Sequence, residues 1–264
     1  MNLRHRFKHW LYGRCPGYAG VFPYFGERVH FPRGSMLFTL ACEQGIFELG
    51  NVNLLRAAAR PGSWYFDVGA NIGLMSAPLL DSLPDITVVS VEASPRTAEC
   101  LGRTIAGSPR RDRWHFVPKA LGAAEGEIEF FASAASHGVF DGLRDTGRGR
   151  DVRAVKVPLT KLDTLWENFG RPEVSVIKID TEGAEAGVLR GAAACLRATR
   201  PCVLLEWNIL NLVPFATAPD SLLTFAAEMN YDVLAAPSLA PVTTPEQLRL
   251  QMGLGETFIL CPRP

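Results

Sequence analysis

The chain has 264 residues, 47% of them hydrophobic and 20% charged, which is enough apolar material for one large domain or one domain with an extension. Lys and Arg together number 27 and so do Asp and Glu, so no global field of either sign draws nucleic acid or anionic lipid to the molecule. No apolar run has the length of a membrane span, the N-terminus lacks the apolar core of a signal peptide, and the 6 cysteines contain no C-x-x-C pair. A reducing cytosol, no stable membrane insertion and no disulfide framework are therefore expected.

In chain order, residues 3–12 read as a basic amphipathic helix, with Arg4, His5, Arg6, Lys8 and His9 around Leu3, Phe7, Trp10 and Leu11. A docked or frayed terminal helix is expected ahead of a membrane-surface one. Residues 28–31 and 36–40, separated by Pro32-Arg33-Gly34-Ser35, read as a β-hairpin. Residues 47–59 read as a helix ended by Pro61-Gly62. Residues 1–44 are thus expected to form an N-terminal extension of helix and hairpin, and residues 45–264 the main domain.

From Ser63 the pattern becomes strand and helix in alternation. Strands are expected at 64–67, 87–91 and 114–117, with helices at 74–83 and 96–105 between them. Residues 127–131 and 152–157 read as antiparallel additions around a glycine- and arginine-rich stretch, 133–151, which has the length of a binding lid. The rhythm then resumes: helix 159–169, strand 174–180, helix 185–196, strand 202–206, helix 221–230 and strands 231–234 and 256–260. Such alternation predicts an α/β fold, a mostly parallel sheet with helices on both faces, closed by an antiparallel edge.

The richest stretch is Tyr65-Phe66-Asp67-Val68-Gly69-Ala70-Asn71-Ile72-Gly73, an apolar strand running into a glycine loop and a helix. Gly69 and Gly73 are expected to let the backbone approach a ligand. Glu92 ends the next strand, where a carboxylate accepts hydrogen bonds from both hydroxyls of a ribose. A dinucleotide fold uses the same logic, but its G-x-G-x-x-G fingerprint is replaced here by D-x-G-x-N-x-G. Without the glycine that seats a pyrophosphate, and with Asp67 adding negative charge, the loop points to a cofactor without phosphate, S-adenosylmethionine.

Four apolar strands end in a carboxylate: Asp67, Glu92, Asp180 and Glu206. A helix cap accounts for one such residue, and Asp180 before Thr181-Glu182-Gly183 is the candidate; a shared site at the strand ends accounts for all four.

Asp67-Val-Gly-Ala-Asn-Ile-Gly73, Val91-Glu92-Ala93-Ser94-Pro95, Lys119-Ala120-Leu121-Gly122, Leu162-Asp163 and Lys178-Ile-Asp-Thr-Glu-Gly-Ala-Glu185 occur in this order. Together they resemble the signature of the FkbM family of S-adenosylmethionine-dependent methyltransferases, over roughly residues 45–206. The resemblance implies a class I methyltransferase fold, a Rossmann-like three-layer sandwich whose seven-stranded sheet is mostly parallel with an antiparallel last strand. It also implies O-methylation of a sugar, glycan or natural-product hydroxyl. Carried onto this chain, it places Asp67, Gly69, Asn71 and Gly73 around the methionine and ribose of the cofactor, and Ala120 and Leu121 against the adenine. It places Asp180 and Glu182 facing the transferred methyl. Glu48 resembles an upstream family position that closes over the cofactor; a carboxylate favoured by a helix N-terminus is the other reading.

Methyl transfer to a hydroxyl requires alignment and removal of a proton, so a base or a metal is needed. Asp180 or Glu206 can act as base, or Asp180, Glu206 and Asn208 can hold Mg²⁺. His137 on the glycine-rich loop is a further candidate base, with a solvated loop side chain as the alternative. Two other functions remain open on the residues: a nicotinamide-dependent oxidoreductase, against which the missing glycine argues, and a non-catalytic cofactor-binding partner in a biosynthetic assembly.

Overall fold

The computed structural model describes residues 3, 6, 7, 10, 20–32, 35–133, 141–144 and 152–264. A hairpin, β1 (Val21–Tyr24) and β2 (Glu27–His30), is followed by helices α1 (Met36–Gln44) and α2 (Leu49–Ala58). Strand β3 (Trp64–Val68), helix α3 (Ser76–Ser82), strand β4 (Thr87–Val91), helix α4 (Pro95–Ala106) and strand β5 (Trp114–Val117) come next. A small sheet of β6 (Ala120–Leu121), β7 (Gly126–Ser133) and β8 (Val152–Thr160) interrupts the rhythm, with β7 and β8 antiparallel. The second half runs α5 (Leu162–Asn168), β9 (Val174–Ile179), α6 (Glu185–Arg190), α7 (Ala193–Thr199), β10 (Cys202–Glu206) and α8 (Ile209–Leu212). It ends with α9 (Ser221–Met229), β11 (Tyr231–Ala235), β12 (Ala240–Pro241), α10 (Pro245–Met252) and β13 (Thr257–Pro262).

The main sheet has the order β5-β4-β3-β9-β10-β13-β11-β12. The five strands from β5 to β10 are parallel, and β13 runs antiparallel to both β10 and β11. The last strand is antiparallel, as expected, and lies between β10 and β11 at the antiparallel end of the sheet. Side chains alternate along each strand, so Tyr65, Val88, Val176 and Leu204 face one apolar cluster while Phe66, Val89, Ile177 and Val203 face another. Helices α1–α4 cover the first face and α5, α6, α7, α9 and α10 the second, giving a three-layer α/β/α sandwich. The chain reverses its winding at β3 and β9, the place where open α/β sheets form a crevice beyond the strand ends.

The expected hairpin and the helix expected over 185–196 are corrected. The hairpin lies at residues 21–30, and residues 36–40 belong to α1. Ser35 caps that helix, its Oγ accepting from the Phe38 amide at 3.3 Å, and Leu37, Phe38, Ala41 and Cys42 make a buried helical stripe. The apolar cluster holding Phe22, Val29, Phe38 and Leu55 also holds Tyr65 and Leu101, so the core is continuous across the expected boundary at residue 45. The helix expected over 185–196 is two helices, and α10 was not foreseen, although Thr244 and Gln247 form its capping box.

Near the N-terminus, Leu3, Phe7 and Trp10 are exposed. No helix among the described residues is long and apolar enough to cross a membrane.

Candidate active site

A cavity of about 340 Å³ opens where the loops after β3, β4, β5, β9 and β10 converge. Gly69 explains how two of those loops meet. Its φ is +74°, and a Cβ there would overlap the carbonyl oxygen of Asp180 on the neighbouring loop. Gly73, φ +87°, would place a Cβ 3.0 Å from the Trp114 ring and 3.1 Å from Leu101. Both glycines thus serve contact between protein segments. Gly69 is on the cavity wall, as a residue that lets the backbone approach a ligand must be, whereas Gly73 is buried and is not on that wall.

Asn71 sits in the left-handed region, φ 49°, a conformation its short side chain tolerates. That turn aims its amide at Glu92 Oε2, 2.8 Å away, while the Ser94 amide donates to Glu92 Oε1 at 2.7 Å. Glu92 is 7% exposed and lines the cavity, so each oxygen holds one backbone donor and keeps lone-pair capacity for another. Burial pushes its carboxyl up to about 7, against the two amides, with Asp141 adding to the rise. Asp141 itself accepts from Ser94 Oγ at 2.7 Å and lines the same end with Phe130 and Leu143. Ala120 and Leu121 are on this wall as well.

Asp67 is fully buried and is not on the cavity wall. Its Oδ2 accepts from Ser76 Oγ at 2.6 Å, and its Oδ1 faces the Lys178 ammonium at 3.7 Å. Burial pushes its carboxyl up; Lys178 and Ser76 oppose that. It holds Ser76 and Lys178 beneath the loop.

The other end of the cavity is acidic. Asp180, Glu182 and Glu206 present carboxylate oxygens within 4.8 Å of one another, with Glu256 and Glu48 also on the wall. Burial, then Asp180 and Glu182, push the Glu206 carboxyl up. Glu182 is left-handed, φ 54°, and Glu185 fixes that loop. Its Oε1 accepts from the amides of Thr181 at 2.8 Å and Gly183 at 3.2 Å and from Thr181 Oγ1 at 3.0 Å. Asp180 caps no helix, since α6 begins at Glu185. Glu48 stands at the N-terminus of α2 without a side-chain cap bond, and accepts from Asn51 Nδ2 at 2.8 Å. It lines the cavity, and burial pushes its carboxyl up.

Asn208 does not join this set. Its Oδ1 caps α8, accepting from the Leu210 amide at 2.8 Å and the Asn211 amide at 3.2 Å, and its Nδ2 donates to Glu206 at 2.9 Å. The oxygen trio a hard divalent cation would meet is Asp180, Glu182 and Glu206, with Glu182 in place of the expected Asn208. His137 and Phe140 lie outside the described residues.

Lys178, Glu256 and Asp141 are charged wall residues given no role from the sequence. Lys178 carries a signal: a lysine inside the apolar strand Val174–Ile179 must have buried partners. Glu256 follows from topology, because β13 is antiparallel to β10 and its start meets the Glu206 end. Asp141, in irregular chain, has no such signal.

Residues 67–233 match the family model described as the methyltransferase FkbM domain. Among solved structures, a methyltransferase FkbM from Methylobacillus flagellatus is 13% identical, with 79% of this chain and 50% of that one covered and a TM-score of 0.48. A TehB-like S-adenosylmethionine-dependent methyltransferase from Corynebacterium glutamicum is 10% identical, covering 81% and 88%, with a TM-score of 0.42. A Thermotoga maritima O-methyltransferase is 13% identical, covering 81% and 65%, with a TM-score of 0.40. The chain thus spans half the length of the M. flagellatus protein. No curated protein matches it.

Proposed function

The chain belongs to the FkbM methyltransferase family, and on that premise we propose that it transfers the methyl group of S-adenosylmethionine to a hydroxyl of a sugar, glycan or natural-product small molecule. The observation that carries this reading is the division of one cavity into a carboxylate held by two backbone amides, at Glu92, and an acidic chamber around Asp180. Glu92 suits the two hydroxyls of a ribose, and the apolar wall of Ala120 and Leu121 suits an adenine. S-adenosylmethionine supplies an electrophilic methyl: the acceptor oxygen bonds to that carbon as the carbon–sulfur bond breaks, its electron pair goes to sulfur, and the acceptor proton goes to a base. Asp180 is the residue suited to take that proton. One of its oxygens is fixed by the Lys178 ammonium at 3.1 Å, and its side chain is 39% exposed, toward the cavity that it lines. Burial and its acidic neighbours push the Glu206 carboxyl up, which suits it to hold a proton beside Asp180. Were Mg²⁺ the activating group, Asp180, Glu182 and Glu206 would hold it and it would lower the pKa of a bound hydroxyl.

The reading includes action in the cytosol, in keeping with the free thiols of Cys42, Cys100, Cys195, Cys202 and Cys261. Calorimetric titration with S-adenosylhomocysteine tests the cofactor half. Incubation with S-adenosylmethionine and a panel of hydroxylated acceptors, read by mass spectrometry, tests the transfer. Absence of binding in the first experiment sinks the reading.

A further inference from the structure

Lys178 is paired across the β3–β9 ladder with Asp67, and its side chain rises past that carboxylate to the cavity floor. There the ammonium donates to the Gly69 carbonyl at 2.9 Å and meets Asp180 Oδ2 at 3.1 Å. Its side chain is 9% exposed. The burial that disfavours an ammonium is outweighed by Asp180, Asp67 and Glu48, so the group stays charged. One cation therefore ties the loop after β3 to the loop after β9.

The charge around it is one-sided. Asp180, Glu182, Glu256 and Glu48 share that end of the cavity with Lys178, and the other lysine of the described wall, Lys119, stands on the loop after β5. Resting on the methyltransferase reading, such a chamber raises a difficulty. Carboxylates attract a sulfonium most strongly before transfer, and the attraction weakens as positive charge leaves sulfur. Interaction that is stronger in the ground state than in the transition state raises the barrier. A fixed cation offsets that attraction, and it also holds the proton acceptor in place.

The geometry points to Lys178 as a positioning residue that locks the Gly69 carbonyl and the Asp180 carboxylate into one corner and limits how tightly the acidic chamber holds the sulfonium relative to the neutral product.

The test needs no acceptor. Calorimetry at pH 8 gives the affinities for S-adenosylmethionine and S-adenosylhomocysteine, and their ratio, for the wild type, Lys178→Met and Lys178→Arg. Melting temperatures report folding. Loosening of the loop weakens both ligands alike and leaves the ratio alone, whereas loss of charge moves it. In Lys178→Met the ratio should shift at least about threefold toward S-adenosylmethionine. Lys178→Arg, which keeps the charge, should keep the wild-type ratio. Should Lys178→Met not fold, Asp180→Asn reads the same balance from the other side, and the ratio should move toward S-adenosylhomocysteine. A ratio unchanged in both Lys178→Met and Asp180→Asn overturns the assignment while leaving the cofactor reading intact. A wild type that binds neither ligand overturns both.

Discussion

The amide of Asn71 donates to Glu92 Oε2 at 2.8 Å, so the loop after β3 and the end of β4 close on one carboxylate. Glu92→Ala removes the acceptor proposed for the ribose and the carboxylate to which the amides of Asn71 and Ser94 donate. S-adenosylhomocysteine affinity should fall at least tenfold, since hydrogen bonds to a charged group contribute about 1.5–3 kcal/mol. Calorimetry decides, and a loss under about threefold would take Glu92 out of the cofactor site.

The same carboxylate sets a pH dependence. Its folded pKa of about 7 lies above the ordinary 4.5, because burial disfavours the anion. Between those values the folded chain binds a proton that the unfolded chain does not, so stability is lost as pH rises through 7. Ribose hydroxyls favour the anion, so S-adenosylhomocysteine should bind more tightly over that interval. The melting temperature of the free protein should drop from pH 5.5 to 8 as affinity climbs, and Glu92→Gln should flatten both trends. Affinity that is flat with pH in the wild type would mean that the proton on Glu92 does not compete with the ligand.

Gly62 and Gly69 separate two costs of a side chain. Their φ angles are +73° and +74°, but a Cβ on Gly62 meets nothing within 4 Å, whereas one on Gly69 overlaps the Asp180 carbonyl. Gly62→Ala should cost about 1–2 kcal/mol, the strain of the left-handed backbone alone. Gly69→Ala should cost more by at least about 1 kcal/mol and should weaken S-adenosylhomocysteine as well. Urea unfolding of the two variants measures the difference, and equal costs would mean that the two loops yield easily.

The acidic chamber bears on acceptor choice. Desolvating an anion against Asp180, Glu182 and Glu48 is unfavourable. Hydroxylated sugars that are neutral or carry an amine should be methylated at least about tenfold faster than their phosphorylated or carboxylated counterparts. Competition between such pairs for S-adenosylmethionine tests this, and a preference for the anionic member would place the acceptor elsewhere.

Much of the parallel half was legible because its strands are short apolar runs bounded by loops. Residues 87–91, 114–117 and 202–206 are strands with those bounds. The region before Ser63 was not, because Met36–Leu40 is apolar enough for a strand and only the Ser35 cap and the buried stripe mark it as α1. At the site, charged residues at strand ends were legible, and what each one touches was not. Asp67 and Glu92 have the same place in the pattern, yet one is sealed under the loop by Ser76 and Lys178 and the other opens to the cavity. Asn208 likewise looks like an oxygen ligand until the amides of Leu210 and Asn211 are seen to occupy it.

Leu37, Leu40, Gln44, Phe47, Glu48 and Asn51 line one side of a cavity whose remaining wall comes from residues 68–206 and from Glu256 and Thr257. The same segment packs Leu37, Phe38 and Leu55 into one buried cluster with Tyr65 and Leu101, so its wall residues can vary between relatives only where those buried side chains keep their volume.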